Sequence, residues 1–232
     1  MARLPRLLIP HALHHVMQSS HDGLRLFRDD DDHIVFLASL LQGARHFGIA
    51  IHAYVLMPDH FHLLVTPQEA TSLSKLMQWL GRYYVPHFNR KYLRSGSLWQ
   101  GRYKATVLDP SLYFFPCSLY IESNPVRAGL VSDAAAYQWS SYAHHIGLRN
   151  DALVADHPLF WAMGNTPFQR EANYKHLLEQ GITEQQLALL REATHKAWLL
   201  GSASFEAEMA KLTARRLQPH KRGRPRKLVS PA

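Results

Sequence analysis

Cysteine is almost missing from this chain: Cys117 is the single copy in 232 residues. That excludes a disulfide framework and a thiolate-rich zinc site, and it suits a reducing cytoplasm. Long apolar runs are missing as well. No stretch approaches the roughly 18 consecutive apolar residues of a membrane-spanning helix. The basic N-terminus, Met1 to Pro10, has an apolar run of only Leu7-Leu8-Ile9 before Pro10, which is too short for a signal-peptide core. The expectation is a cytoplasmic protein with no membrane partner. Charged residues make up 19% and hydrophobic ones 47%, values of a globular chain that argue against wholesale disorder. The length suits one average domain plus an appendage.

Acidic residues are absent from 211 to 232, where eight basic ones stand: Lys211, Arg215, Arg216, Lys221, Arg222, Arg224, Arg226 and Lys227. Removing those eight from the 26 Lys and Arg leaves 18 basic against 18 acidic residues in the body, so the tail carries the whole +8. Such a tail cannot fold alone and favours polyanions. Lys221-Arg222-Gly223-Arg224-Pro225-Arg226-Lys227 resembles an AT-hook core, which exploits the negative potential of a narrow minor groove. Lys221, Arg222, Arg224, Arg226 and Lys227 are therefore expected to contact DNA, driven by counterion release.

The rest of the chain has a readable order. His11 to Gln18 has strand spacing. Asp29 to Asp32 opens a helix at its positive end, with Ile34, Leu37, Leu40 and Leu41 at helical spacing and Gly43 to Gly48 near its close. Ile49–Met57 and His60–Thr66 read as strands joined at Pro58-Asp59 in an antiparallel hairpin. An amphipathic helix is expected over Ser72–Tyr92, kinked or divided at Pro86. Ser97–Leu108 reads as another strand or hairpin. Asp109-Pro110 supplies an N-cap and first turn for a helix that Pro125 ends. The resulting β-α-β-β-α-β-α order predicts an α+β fold, a ferredoxin-like antiparallel sheet with helices on one face. Gln138 to Tyr142 is expected to pack back on the body, with His144 and His145 in a loop. Three helices follow over 168–180, 183–199 and 204–217, without strand signals. The predicted organisation is a domain over 1–150, a helical C-terminal region over 151–217, and a basic tail over 218–232. No internal repeat is visible.

His60-Phe61-His62 stands out among 16 histidines. In a strand, residues two apart share a face, so both imidazoles project together while Phe61 packs oppositely. Two parallel imidazoles form half of a divalent-metal site. Alone, such a pair is more often a set of hydrogen-bonded rings than a metal site. A third ligand and a reacting group are offered by Tyr120-Ile121-Glu122-Ser123-Asn124, whose ends lie four apart on one helix face. Alone, Tyr120 reads as a half-buried aromatic and Asn124 as a helix-end cap. Tyr83, Tyr84 and Tyr113 read as packing residues.

Three stretches together, Met57-Pro58-Asp59-His60-Phe61-His62-Leu63-Leu64-Val65, Trp99-Gln100-Gly101-Arg102-Tyr103-Lys104 and Tyr120-Ile121-Glu122-Ser123-Asn124-Pro125-Val126-Arg127-Ala128-Gly129, resemble the single-tyrosine HUH transposases, in particular the REP-associated tyrosine transposases. The resemblance runs from about His11 to Tyr142. It implies a DNA transposase that binds hairpin-containing single-stranded DNA and cleaves and rejoins it through a 5′-phosphotyrosine. His60, His62 and Asn124 would hold Mg²⁺ or Mn²⁺, Tyr120 would be the nucleophile, and the protein would act as a monomer or homodimer. Arg102 and Lys104, flanking Tyr103, are expected to face DNA phosphates. Three departures stand out: Gln18-Ser19-Ser20-His21-Asp22 replaces the family's Arg-Gly-Asn, Asp59 replaces an Asn, and Pro116 lies one turn before Tyr120. The alternative reading is a catalytically inactive, domesticated transposase that binds DNA sequence-specifically. A water-activating metal hydrolase and an RNA-binding ferredoxin-like module fit less well. The first lacks further His or Asp ligands at convincing positions; the second needs aromatics where the His pair stands.

Overall fold

A computed structural model of the protein describes residues 5–219. The chain forms strand β1 (Leu13–Ser19), helix α1 (Asp30–His46), strands β2 (Ile49–Met57) and β3 (His60–Pro67), and helix α2 (Ser72–Lys91). Strand β4 (Lys104–Leu108) and helix α3 (Pro110–Glu122) complete the first half. Short turns α4 (Asn124–Arg127), α5 (Tyr142–His145) and α6 (Pro158–Trp161) lead to helices α7 (Pro167–Gln180), α8 (Glu184–Lys196) and α9 (Ala203–Ala210). The sheet order is β2-β3-β1-β4 with every neighbour antiparallel. This is the ferredoxin-like arrangement that the β-α-β-β-α-β order predicts. Among the described residues no helix is long and apolar enough to cross a membrane.

Local chemistry explains the boundaries. The Asp29 side chain accepts from the Asp32 N–H to cap α1, and the acidic first turn meets the helix's positive end. Gly48, at φ +62°, turns the chain from α1 into β2 in a conformation that favours glycine. Asp109 caps α3 by accepting from Ser111 N–H, and Pro110 follows in the first turn. Helix α2 runs on through Pro86, so the expected division does not occur.

Alternation along the strands sorts two cores. Phe61, Leu63 and Val65 of β3 face Phe36, Leu40, Leu73, Leu76, Leu80 and Tyr84 of α1 and α2. These two helices share one face of the sheet, as expected. The opposite face is covered by α3, through Phe114, Cys117 and Ile121 against Leu13, Val55 and Leu64, and by α8, which packs on β4, β1 and α3. Segment 139–141 runs along the outer edge of β2, with Leu56 N–H donating to Trp139 C=O at 2.9 Å and Tyr54 N–H to Ser141 Oγ at 2.9 Å.

Two expectations need correction. The region from Ser97 is not a strand until Lys104; before that, Gly96 and Gly101 take φ of +85° and +65°, which breaks the extended run, and only a lone bridge joins Trp99 to Ser20. His144 and His145 lie not in a loop but in α5, where His145 is buried. The three C-terminal helices exist with shifted ends, the last being shorter than expected.

Candidate active site

The β2–β3 hairpin delivers the histidine pair. His60 opens β3 opposite Met57, and His62 lies two residues on, opposite Val55 and Met17. Phe61, fully buried, points into the other core. The two imidazoles sit perpendicular with centroids 5.1 Å apart. Asp59, in the two-residue turn, accepts from His60 Nδ1–H at 2.7 Å. That fixes the tautomer and leaves a lone pair on His60 Nε2. The Asn124 amide nitrogen Nδ2 donates to that Nε2 at 3.3 Å, so the same lone pair and the Asn124 side chain already face each other.

Helix α3 crosses this face and brings Tyr120 over the pair. The Tyr120 ring meets His62 edge-on at 5.5 Å between centroids, and 8% of the residue is exposed. Pro116 lies within α3 without interrupting it. The chain then turns at Ser123, so that Asn124 begins α4 and Arg127 folds back. Arg127 lies 4.6 Å from the Tyr120 ring centroid and donates to the Tyr120 carbonyl at 2.6 Å. His60, His62, Tyr120 and Asn124 therefore come together.

Four further residues join them that sequence reasoning did not single out. His15 of β1 stacks on His62 at 5.0 Å, and its Nε2 lies 2.8 Å from His62 Nδ1. Its alternation with Val16 hinted at a face, but only the β1–β3 register places it beside His62. Thr194 of α8 contacts His15 Nδ1 at 2.9 Å. Arg191, one turn earlier on α8, brings a positive charge close enough to act on the Tyr120 phenol. Arg127 stood inside a quoted motif without a role.

Electrostatics prepare these groups. Burial, with the neighbouring His15, His60, Arg127 and His195 adding to it, holds the His62 pKa well below the usual imidazole value. Burial alone takes His15 down to about 3. Both rings are thus neutral at pH 7, and a neutral imidazole is the form that ligates metal. Burial raises the Tyr120 phenol above its usual range, while the charges of Arg127 and Arg191 oppose that rise. The donor set is two imidazole nitrogens with unprotonated Nε2 in prospect and one amide. It fits a divalent ion that accepts mixed nitrogen and oxygen ligands.

A second group of ligand-type atoms, from Asp31, Asp32 and His87, also converges. The Lys91 ammonium already lies among those carboxylates, 2.8 Å from Asp31 and 3.1 Å from Asp32. It supplies the positive charge there.

Arg102 and Lys104 do not alternate on one strand as expected, because Arg102 precedes β4. They nevertheless line one groove of about 220 Å³ with Arg6, His195, Trp198 and Arg215. Lys104 Nζ is 2.9 Å from His195 Nδ1. Lys221, Arg222, Arg224, Arg226 and Lys227 lie outside the described residues.

Residues 12–124 match the family described as IS200-like transposases. Across 68% of its length the chain is similar to a REP-associated tyrosine transposase solved bound to a REP hairpin, with a TM-score of 0.51, 16% identity and 93% of that chain covered. It is also similar to a protein of Deinococcus radiodurans R1 assigned as a transposase, with a TM-score of 0.35, 20% identity, and 56% of this chain and 92% of that one covered. No curated protein matches the chain. At this identity the first likeness establishes the ferredoxin-like fold.

Proposed function

We propose that this chain, whose residues 12–124 match the IS200-like transposase family, binds hairpin-containing single-stranded DNA and cleaves and rejoins it through Tyr120. The observation that carries this reading is the convergence of Tyr120 of α3 with His60 and His62 of β3 and Asn124 of α4. A hairpin partner is supported by the REP hairpin bound to the similar transposase.

The chemistry follows from the residues. Tyr120 Oη attacks the scissile phosphorus, the Tyr–O–P bond forms and the P–O3′ bond breaks. The phenolic proton is released and the departing 3′-oxygen takes one up. One phosphodiester replaces another, so a free 3′-hydroxyl reverses the step without ATP. A phenol of pKa near 10 is a weak nucleophile at pH 7; the guanidinium groups of Arg127 and Arg191 favour its ionised form and attract the phosphate. His60, His62 and Asn124 would hold Mg²⁺ or Mn²⁺, which when bound polarises the phosphate as a Lewis acid. Residues 1–150 would carry the nucleophile and the metal ligands, α8 would support them from outside that unit, and the 218–232 tail would add non-specific affinity for the DNA backbone.

The test is incubation of the full chain with hairpin-bearing single-stranded oligonucleotides and Mg²⁺ or Mn²⁺, resolved on denaturing gels. The expected result is a nick with protein covalently attached to the 5′ end of the downstream fragment, absent in Tyr120→Phe and in His60→Ala. Nicking that persists in Tyr120→Phe overturns the tyrosine pathway. Specific hairpin binding with no nick under any metal leaves the inactive, DNA-binding reading.

A further inference from the structure

We propose that His15 and Thr194 form a positioning relay, through which α8 fixes which nitrogen of His62 carries its proton. The relay rests on the reading of His62 as a metal ligand, and it brings into the site a helix that lies beyond the family-matched residues 12–124.

The relay is deduced by counting protons. Thr194 Oγ1 lies 2.6 Å from the Leu190 carbonyl oxygen. Two oxygens that close need a proton between them, and only the hydroxyl has one to give, so Thr194 donates to Leu190, a common back-bond within a helix. Thr194 Oγ1 also lies 2.9 Å from His15 Nδ1. Its proton being spent, it accepts there, and His15 Nδ1 carries the hydrogen. A neutral imidazole has one N–H, so His15 Nε2 is a bare acceptor. The 2.8 Å contact between His15 Nε2 and His62 Nδ1 then takes its proton from His62. His62 is left with Nδ1–H directed at His15 and a lone pair on Nε2. His60 reaches the same tautomer by a different route, through Asp59.

The surroundings leave little freedom for a different arrangement. Thr194, His15 and His62 are 4%, 1% and 2% exposed, so water does not compete for these bonds, and a buried imidazole N–H without an acceptor is costly. The two histidines are thus oriented differently: His60 from an exposed turn carboxylate, His62 from a buried chain that ends in α8. The His15 ring also meets the Tyr120 ring edge-on at 5.7 Å, so it braces the nucleophile as well.

The experiment uses the full metal-free chain with ¹⁵N-labelled histidine. Long-range ¹H–¹⁵N correlations distinguish the two neutral tautomers of each ring. In the wild type His62 is expected to show Nδ1–H and a bare Nε2. Thr194→Val removes the acceptor for His15, whose proton moves to Nε2 and forces His62 into the Nε2–H form. Mn²⁺ affinity, read by electron paramagnetic resonance, falls roughly 10–100-fold, as expected for loss of a group that orients a ligand. Thr194→Ser keeps the hydroxyl and restores both readouts. His15→Gln, whose amide oxygen accepts from His62, keeps the tautomer, whereas His15→Leu loses it; this pair decides the matter if the valine variant fails to fold. A wild-type His62 in the Nε2–H form overturns the relay, as does Thr194→Val with tautomer and affinity unchanged. The expected tautomers without Mn²⁺ binding support the relay and overturn the metal reading of the site.

Discussion

Asp59 sits where the resembling family more often carries asparagine, and its geometry gives that difference a consequence. Its carboxylate accepts from His60 Nδ1–H at 2.7 Å while half of the side chain remains in solvent. A carboxylate acceptor raises the basicity of the opposite ring nitrogen, and losing such a partner typically weakens a metal site. Asp59→Ala should therefore lower Mn²⁺ affinity by roughly tenfold, the small end for such partners because water substitutes at an exposed position. Asp59→Asn, which still accepts through its amide oxygen, should lose less. Calorimetric titration of both variants checks this, and an affinity unchanged in Asp59→Ala would reduce Asp59 to a turn former. At this scale the sequence was informative about residues that carry chemistry in short motifs. His60, His62, Tyr120 and Asn124 were readable because the members of each pair lie four positions apart or fewer. His15 and Thr194, separated by 179 positions, were not, because their meeting depends on the β1–β3 register and on α8 docking.

Helix α3 needs an anchor at its C-terminal end, since Tyr120 lies in its last turn. That anchor is Glu122, fully buried two residues after the nucleophile. Its carboxylate accepts from Tyr174 O–H at 2.6 Å, from His145 Nδ1–H at 2.7 Å and from the Ser141 hydroxyl. One side chain thereby ties α3 to α5, to α7 and to the segment along the edge of β2. A buried carboxylate is tolerated only when its oxygens are satisfied. Tyr174→Phe strips one donor and should cost about 1.5–3 kcal/mol, the range for a hydrogen bond to a charged group. Urea denaturation measures it, and a midpoint unchanged from wild type would mean that the other donors suffice. Elements with a regular period were legible in sequence: the hydrophobic spacing of α1 and α2 and the alternation of β3 needed no tertiary knowledge. The stretch before β4 was misread because its apolar and aromatic residues look strand-like while Gly96 and Gly101 hold a left-handed backbone. The α5 turn was misread because its helicity comes from Ser141 and His145 joining the Glu122 network, which no local pattern encodes.

Among the described residues, His14, His15, His33, His52, His62 and His145 are buried, and this burial sets the molecule's response to acid. Burial takes His14 and His52 down to about 4, takes His15 down to about 3, and holds His62 well below its usual value. In the unfolded chain each would titrate near 6.5. Between about pH 6.5 and about pH 4 the unfolded state therefore binds protons that the folded state refuses, and stability falls as pH falls through that window. The stability these rings contribute is fully present above pH 6.5. Carboxylates work in the same direction at lower pH. Asp29, held below the usual 3.8 by its hydrogen bond from Lys91, and Asp156, held down by His144, surrender stability only when protonated in the unfolded chain near pH 3.8. The two sets are thus separable by pH. The urea midpoint of the metal-free chain should drop steadily from pH 7 to pH 4.5, before the carboxylates contribute. A loaded metal site should steepen the same drop, because His62 must stay unprotonated to ligate, and the steepening should vanish in His62→Ala. A midpoint flat from pH 7 to pH 4.5 would mean that the buried rings open to water before the chain unfolds. The water-excluding interior that keeps the His15–His62 pair neutral would then be absent.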